Sequence, residues 1–233
     1  MILSAVSESI KNIKETAMLL RDQKNNVIYY ESSEKLEAPW INKKSTRHTF
    51  VDGKGEVELK KSVTKIGYLA FASQGDMTSL IIPDCITEIE YSAFSDCCGM
   101  KKLVIGNSVK KIGSGAFEFC LSLEDLTIGT SVEIIEDNAF FDCMSLKSLV
   151  IPSSVNEIGW RAFADCGSLE SVIIPDSVKK IGEYAFEGCN SLQSLVMPDY
   201  VEEIGVGVFD GCDKLPEETK VMIREMEERN LRS

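Results

Sequence analysis

The sequence predicts an α+β repeat solenoid: short parallel strands stacked in register, a helix and a β cap at the N-terminal end, and a capping helix at the C-terminal end. Three observations predict it. Phenylalanine falls at 71, 94, 117, 140, 163, 186 and 209, in one unvarying 23-residue step with no insertion. Isoleucine falls at 66, 89, 112, 135, 158, 181 and 204 in the same step. Alanine precedes the first six phenylalanines and Val208 the last. A fixed period of this size means one turn of a solenoid per repeat, because a unit so short cannot bury its apolar edge alone and must stack on its neighbours.

Within a repeat, the segment 146–151, "LKSLVI", is the clearest strand. Leu149 and Ile151 point to one side and Val150 to the other, by the two-residue period of a strand. The inward pairs in the other turns are Leu80/Ile82, Leu103/Ile105, Leu126/Ile128, Val172/Ile174 and Leu195/Met197. Pro152, or Pro83, Pro175 and Pro198, ends each strand, with Gly106 and Gly129 in their place in two turns. A second extended piece, "SVNEIG", should bury Val155 and Ile158. Gly159 is expected to supply a positive φ, and "WRAFADC" a tight helical turn burying Ala162, Phe163 and Cys166. Glu90 and Glu136 replace the glycine, and a different local bend is expected there.

The unit "SLxSLxIPxSVxxIGxxAFxxC" resembles the leucine-rich repeat of the BspA or treponemal type, which has the same period. The stretch 123–132, "LEDLTIGTSV", is close to the leucine-rich strand signature. The resemblance covers residues 57–215 as seven turns of a right-handed stack. "VIYYESSEKLEAPW" and "HTFVDGKGEVEL" are similar to the hairpin cap that precedes such arrays, which sets a β cap over 27–56 with Val57 and Leu59 at the first strand positions. The resemblance implies a protein-binding domain used in adhesion or host-protein contact, displayed on a cell surface or secreted.

The two ends read separately. Leu3, Val6, Ile10, Ile13, Ala17 and Leu20 alternate steps of three and four, an apolar seam on a helix over 1–26. It either packs on the cap or pairs two chains. At the other end, 216–233 reads as a closing helix. Pro216 fits its first position and Glu217 and Glu218 its positive pole, with Leu215, Met222, Ile223 and Met226 turned onto the last coil.

Charge excludes some partners. The formal net charge is −12, and the repeated part is the acidic one: residues 51–212 carry 12 Lys/Arg against 25 Asp/Glu. Nucleic acid and anionic membrane surfaces require the opposite sign. No segment reaches the length of a membrane span, and the opening stretch "MILSAVSESIKNIKETAMLL" lacks a secretory-signal pattern. No leader is therefore expected from these residues, although the resemblance implies surface display.

Catalytic constellations are missing from the pattern. His48 is the only histidine, so the stacked serines at 108, 131, 154 and 177 have no registered base. Glu202/Glu203 and Glu136/Asp137 sit on bends, where solvated charge is the rule; acid–base chemistry needs a cleft. Cys97, Cys120, Cys143, Cys166, Cys189 and Cys212 share one repeat position. They read as buried small hydrophobes, set against redox or metal chemistry, for which no Cys-x-x-Cys or histidine partner exists. Cys98 is expected to face outward. The expectation is a non-enzyme without metal or cofactor.

The candidate binding surface is the outward strand residue of successive turns: Ile81, Val104, Thr127, Val150, Ile173 and Val196. Five of the six are apolar. Either they support one another across the strands, or they form a contact stripe for another protein or a second copy of the chain. Trp160 and Tyr184, with Phe119 and Phe141, form a possible secondary contact of exposed aromatics, which in a carbohydrate-binding module would stack on sugar. An intracellular interaction scaffold is the remaining alternative.

Overall fold

The computed structural model describes residues 24–231. The proposed N-terminal helix and its dimer contact lie outside the described residues. A stack of coils occupies most of the chain, and successive coils are joined by three separate hydrogen-bonded ladders.

The first ladder is the main sheet. β5 (Met77–Ile82), β7 (Lys102–Ile105) and β9 (Asp125–Thr127) pair in parallel, as do β11 (Ser148–Val150), β13 (Ser171–Ile173) and β15 (Ser194–Val196). Register is strict: Leu149 lies opposite Val172, and Val172 opposite Leu195. Strand alternation turns these residues inward and Val150, Ile173 and Val196 outward. The sheet is divided between β9 and β11 into two groups of three parallel strands.

The second ladder is a seven-stranded sheet of two-residue strands: β4 (Lys65–Ile66), β6 (Glu88–Ile89), β8 (Lys111–Ile112), β10 (Ile134–Ile135), β12 (Glu157–Ile158), β14 (Lys180–Ile181) and β16 (Glu203–Ile204). It runs unbroken past the division in the main sheet. Its isoleucines lie opposite one another from Ile66 to Ile204 and are buried.

The third ladder replaces the expected helical turn. "WRAFADC" folds as successive i→i+3 turns, with Ala162 N donating to Gly159 O at 3.3 Å and Ala164 N to Arg161 O at 3.2 Å. Between them, main-chain bonds run from coil to coil: Phe140 N to Ala162 O and Phe163 N to Ala185 O, both 2.8 Å. Two residues per coil take left-handed φ to aim these groups. One set is Leu69, Ser92, Gly115, Asn138, Arg161, Tyr184 and Gly207; the other is Ser73, Asp96, Phe119, Asp142, Asp165, Gly188 and Gly211. A left-handed conformation costs a non-glycine residue about 1–2 kcal/mol. The ladder sustains that cost even at Arg161 and Tyr184 because each such amide gains a main-chain partner in the next coil.

The glycine expectation is therefore corrected. Gly159 is not among the left-handed residues. It is small because a Cβ there would lie 2.5 Å from Asp137 N and 2.6 Å from Glu136 C in the preceding coil. Glu90 and Glu136 keep the standard bend: their coils retain both left-handed residues. Their carboxylates instead accept the amides of Tyr68 (3.3 Å) and Ser114 (3.0 Å) one coil back. Close approach also explains Gly129, whose Cβ would stand 2.1 Å from Gly106 O.

Between the ladders lies one continuous core. Its centre is the phenylalanine column from Phe71 to Phe209, each ring stacked on the next at 5.0–5.3 Å with planes within 8°. Trp40 closes the top at 5.4 Å from Phe71.

The N-terminal cap holds β1 (Val27–Ser32), the short helix α1 (Pro39–Lys44), β2 (Ser45–Val51) and β3 (Lys54–Leu59). Asp52 and Gly53, both at positive φ, make the two-residue hairpin turn between β2 and β3. Val57 and Leu59 are buried as expected. However, β3 does not pair with β5: β1 lies between them, antiparallel to both. The C-terminal cap is α2 (Glu217–Leu231), with Pro216 just outside it and its carbonyl accepting from Lys220 N at 3.1 Å. Ile223 and Met226 are buried against the last coil. α2 also closes two open ladder ends: Asn230 Oδ1 accepts from Ile204 N at 3.2 Å, and Glu227 Oε1 from Val208 N at 3.1 Å.

Candidate protein-interaction surface

The outward row of the main sheet is unevenly open. Val196 is 44% exposed, Val150 and Ile173 are half-buried, and so are Ile81 and Thr127. Val104 is completely buried. The most exposed member, Val196, lies in the C-terminal group, β11–β13–β15. There Ser148, Ser171 and Ser194 line up opposite one another, two positions before the apolar residues and on the same face. Small side chains beside β-branched ones make a flat patch that another main chain or side chain can approach closely. No strand in the described residues pairs with the outer edge of β15, and Tyr200 beyond it is 67% exposed.

Trp160 and Tyr184 do not form a common platform. Their separation is one position more than a full repeat, so Trp160 is in register with Glu183 and Tyr184 with Arg161. Trp160 lies against the Arg161 guanidinium, 5.5 Å from its ring, and Tyr184 lies over Gly207. Phe119 and Phe141 do meet, edge to face at 5.5 Å. Arg161 covers Phe141 at 4.8 Å and is tied to Asp165 and Glu187 at 3.2 and 3.1 Å. The column that holds Trp160 also holds Tyr68 and Tyr91, whose exposed rings stack at 5.7 Å. Counting back from Trp160 by whole repeats reaches both in the sequence.

The cysteine ladder is structural. All six thiols are buried and reach the main chain of the coil before: Cys97 Sγ to Phe71 O at 3.2 Å, Cys166 Sγ to Phe140 O at 3.5 Å, Cys212 Sγ to Phe186 O at 3.3 Å. Burial pushes Cys97 and Cys166 up to about 12 and holds Cys120 and Cys143 well above the ordinary thiol range. A thiolate is the reactive form, so these groups are inert at neutral pH. Cys98 is partly exposed and donates to Asp96 Oδ1 at 3.0 Å, which raises its pKa.

The acidic pairs serve as ties between coils. Glu136 pairs with Lys111 at 2.6 Å, Glu202 with Lys179 at 3.1 Å and Glu203 with Lys180 at 3.8 Å; Asp137 Oδ1 accepts from Trp160 N at 2.8 Å. Exposed pairs of this kind contribute about 0–1 kcal/mol each. Among the described residues, no group of three or more His, Cys, Asp or Glu is placed to hold a metal ion, and no helix is long and apolar enough to cross a membrane.

Comparison with known proteins agrees with this architecture. A family profile, the BspA type leucine rich repeat region, matches in six copies over residues 36–143 and 110–223. The chain belongs to the BspA-type leucine-rich repeat family. Among solved structures, this repeat protein is similar to a leucine-rich repeat protein from Bacteroides ovatus, with 30% identity, TM-score 0.55, and coverage of 73% of this chain and 44% of that one. It is also similar to the T. pallidum leucine rich repeat protein, with 27% identity, TM-score 0.57, and coverage of 83% and 96%. The pneumococcal vaccine antigen PcpA shares the fold at 22% identity and TM-score 0.56, covering 78% of this chain and 45% of that one. The BspA-type chain therefore spans less than half of the Bacteroides and pneumococcal proteins. No curated protein matches it.

Proposed function

We propose that this chain is a non-catalytic module that binds another protein on the outward face of β11, β13 and β15, in a cell-surface or adhesive setting. The observation that carries the reading is the registered row Val150, Ile173 and Val196, apolar and half-buried to exposed beside a row of serines, at the end of a stack whose other two ladders are capped. A stack of identical coils generates area, and apolar area left uncovered in an acidic protein marks a contact site. The BspA-type repeat, with the surface display that the resemblance implies, supports a setting outside the cell. Carbohydrate binding through Trp160 and Tyr184 lacks the shared ring platform it needs.

The test is capture of surface-exposed partner proteins with the wild type beside Val150→Asp. Val150 is half-buried and outward, so the variant keeps the fold, with a melting temperature within a few degrees of wild type, and loses the captured partner. Retention of the partner by a folded Val150→Asp and by Val196→Asp would remove this face from consideration.

A further inference from the structure

The main sheet ends differently from the other two ladders. At β15, Ser194 N donates to Glu170 O at 3.1 Å and Val196 O accepts from Ile174 N at 2.8 Å. Strand alternation therefore turns the N–H and C=O of Leu195 away from β13, where no described strand receives them. The core side of this edge is also incompletely covered. Leu195 and Met197 are only half-buried, whereas Val172 and Ile174, their counterparts one coil earlier, are 1% and 2% exposed. At the opposite end of the chain's sheets, β2 pairs only with β3 among the described strands. Its two-residue turn makes Val51–Lys54 and Thr49–Glu56 the hydrogen-bonded pairs, so His48 and Phe50 present their main-chain groups to the free side. Phe50 lies opposite Gly55 on the core side of the sheet and is half-buried.

We propose that a second copy of this chain adds its β2 to the free edge of β15, head to tail, with Phe50 of one copy covering Leu195 and Met197 of the other. Charge selects this pairing. Residues 39–51, α1 with β2, carry three Lys/Arg and no Asp or Glu, while residues 199–218 around the β15 end carry seven Asp/Glu against one Lys. Pairing β15 with β15 of another copy would set two acidic ends against each other, and like charges in contact are unfavourable. Shape agrees with charge. At the N-terminal end three cap strands carry the main sheet about 14 Å beyond β5, while the second sheet stops at β4. At the C-terminal end the main sheet stops at β15, while α2 continues past β16. The steps are opposite in sense, so the projecting cap of one copy enters the recess beside α2 of the next. A copy shifted along the stack presents β2 antiparallel to β15, as β1 is to β5. Such a contact joins two different surfaces, so each copy keeps one end free to extend the assembly. It uses the edge of β15 and leaves the outward row Val150, Ile173 and Val196 available.

Sedimentation velocity of the full-length chain tests this. The N-end variant Lys44→Glu with Arg47→Glu reverses charge at two exposed side chains. The C-end variant Leu195→Lys places a charge at a half-buried edge position, where lysine guards natural edge strands. Unlabelled Cys166 under native maleimide treatment verifies an intact column in both. Wild type should grow in mass with concentration, and each variant alone should remain a monomer. Mixed together, the two variants should form a dimer with one copy of each and nothing larger, because only one matched pair of ends survives. Wild-type association should weaken about tenfold between low salt and about 0.5 M NaCl, where charges are screened beyond about 4 Å. Val150→Asp, two strands from the edge, should associate as wild type does. A wild type that stays monomeric up to about 1 mM would overturn the proposal. So would self-association of either variant, association indifferent to salt, or a mixture that forms no dimer, which would mean that like ends pair.

Discussion

Phe163→Ala lowers the unfolding free energy by about 3–5 kcal/mol, the largest effect expected of any single truncation in the stack. Phe163 is completely buried and stacked between Phe140 at 5.2 Å and Phe186 at 5.3 Å, with planes within 7°. Removing the ring takes away its apolar burial and two stacking contacts, each worth about 0.5–1.5 kcal/mol beyond area. The cavity cannot close, because main-chain bonds at 2.8 Å on either side, Phe140 N to Ala162 O and Phe163 N to Ala185 O, fix the spacing of the coils. Chemical denaturation of the variant beside wild type measures the loss. A change below about 1 kcal/mol, the size of an ordinary surface effect, would mean that the column is not tightly packed.

Met226→Asp opens the stack from its C-terminal end. Met226 is 3% exposed and, with Ile223, covers the last coil, where Cys212 and Leu215 are also buried. Burying a methionine contributes about 1.5–3 kcal/mol, and a carboxylate in its place adds a desolvation cost. The expected loss is about 3 kcal/mol or more. In a stack where each coil contacts its neighbours, a terminal defect frays the end first. Cys212 should therefore become reactive to maleimide while Cys166, two coils inward, stays protected. Simultaneous exposure of both would show that the stack unfolds as one unit.

The period was legible because burial is periodic: the phenylalanine, isoleucine and cysteine ladders each occupy one repeat position, and all three are inside. Strand faces followed from alternation at Leu149, Val150 and Ile151. The backbone of the turn was not legible. Its left-handed positions hold Leu69, Ser92, Asn138, Arg161 and Tyr184 at one site, with no common preference, since the conformation is imposed by bonds to the next coil. Gly159 pointed to the right place for a different reason, the close approach of Glu136 and Asp137. The insertion of β1 between β3 and β5 depends on pairing residues far apart in the chain, such as Tyr29 with Ile81, and has no local signal. At the candidate surface, Val104 and Val150 are the same residue type at the same repeat position. Val104 is buried and Val150 half-buried, a difference that a repeat pattern does not encode.

The central claim is that seven coils lie in register around one dry column and leave the surface free for contact, and the cysteine ladder reports on it coil by coil. A timed maleimide pulse on the wild-type chain at neutral pH, read out by peptide, measures the reactivity of Cys97, Cys120, Cys143, Cys166, Cys189 and Cys212 separately. The stack predicts that all six stay unlabelled in the native state while Cys98 reacts, and that rising denaturant exposes Cys212 before Cys143. Native labelling of Cys143 or Cys166 at the rate of Cys98 would contradict it.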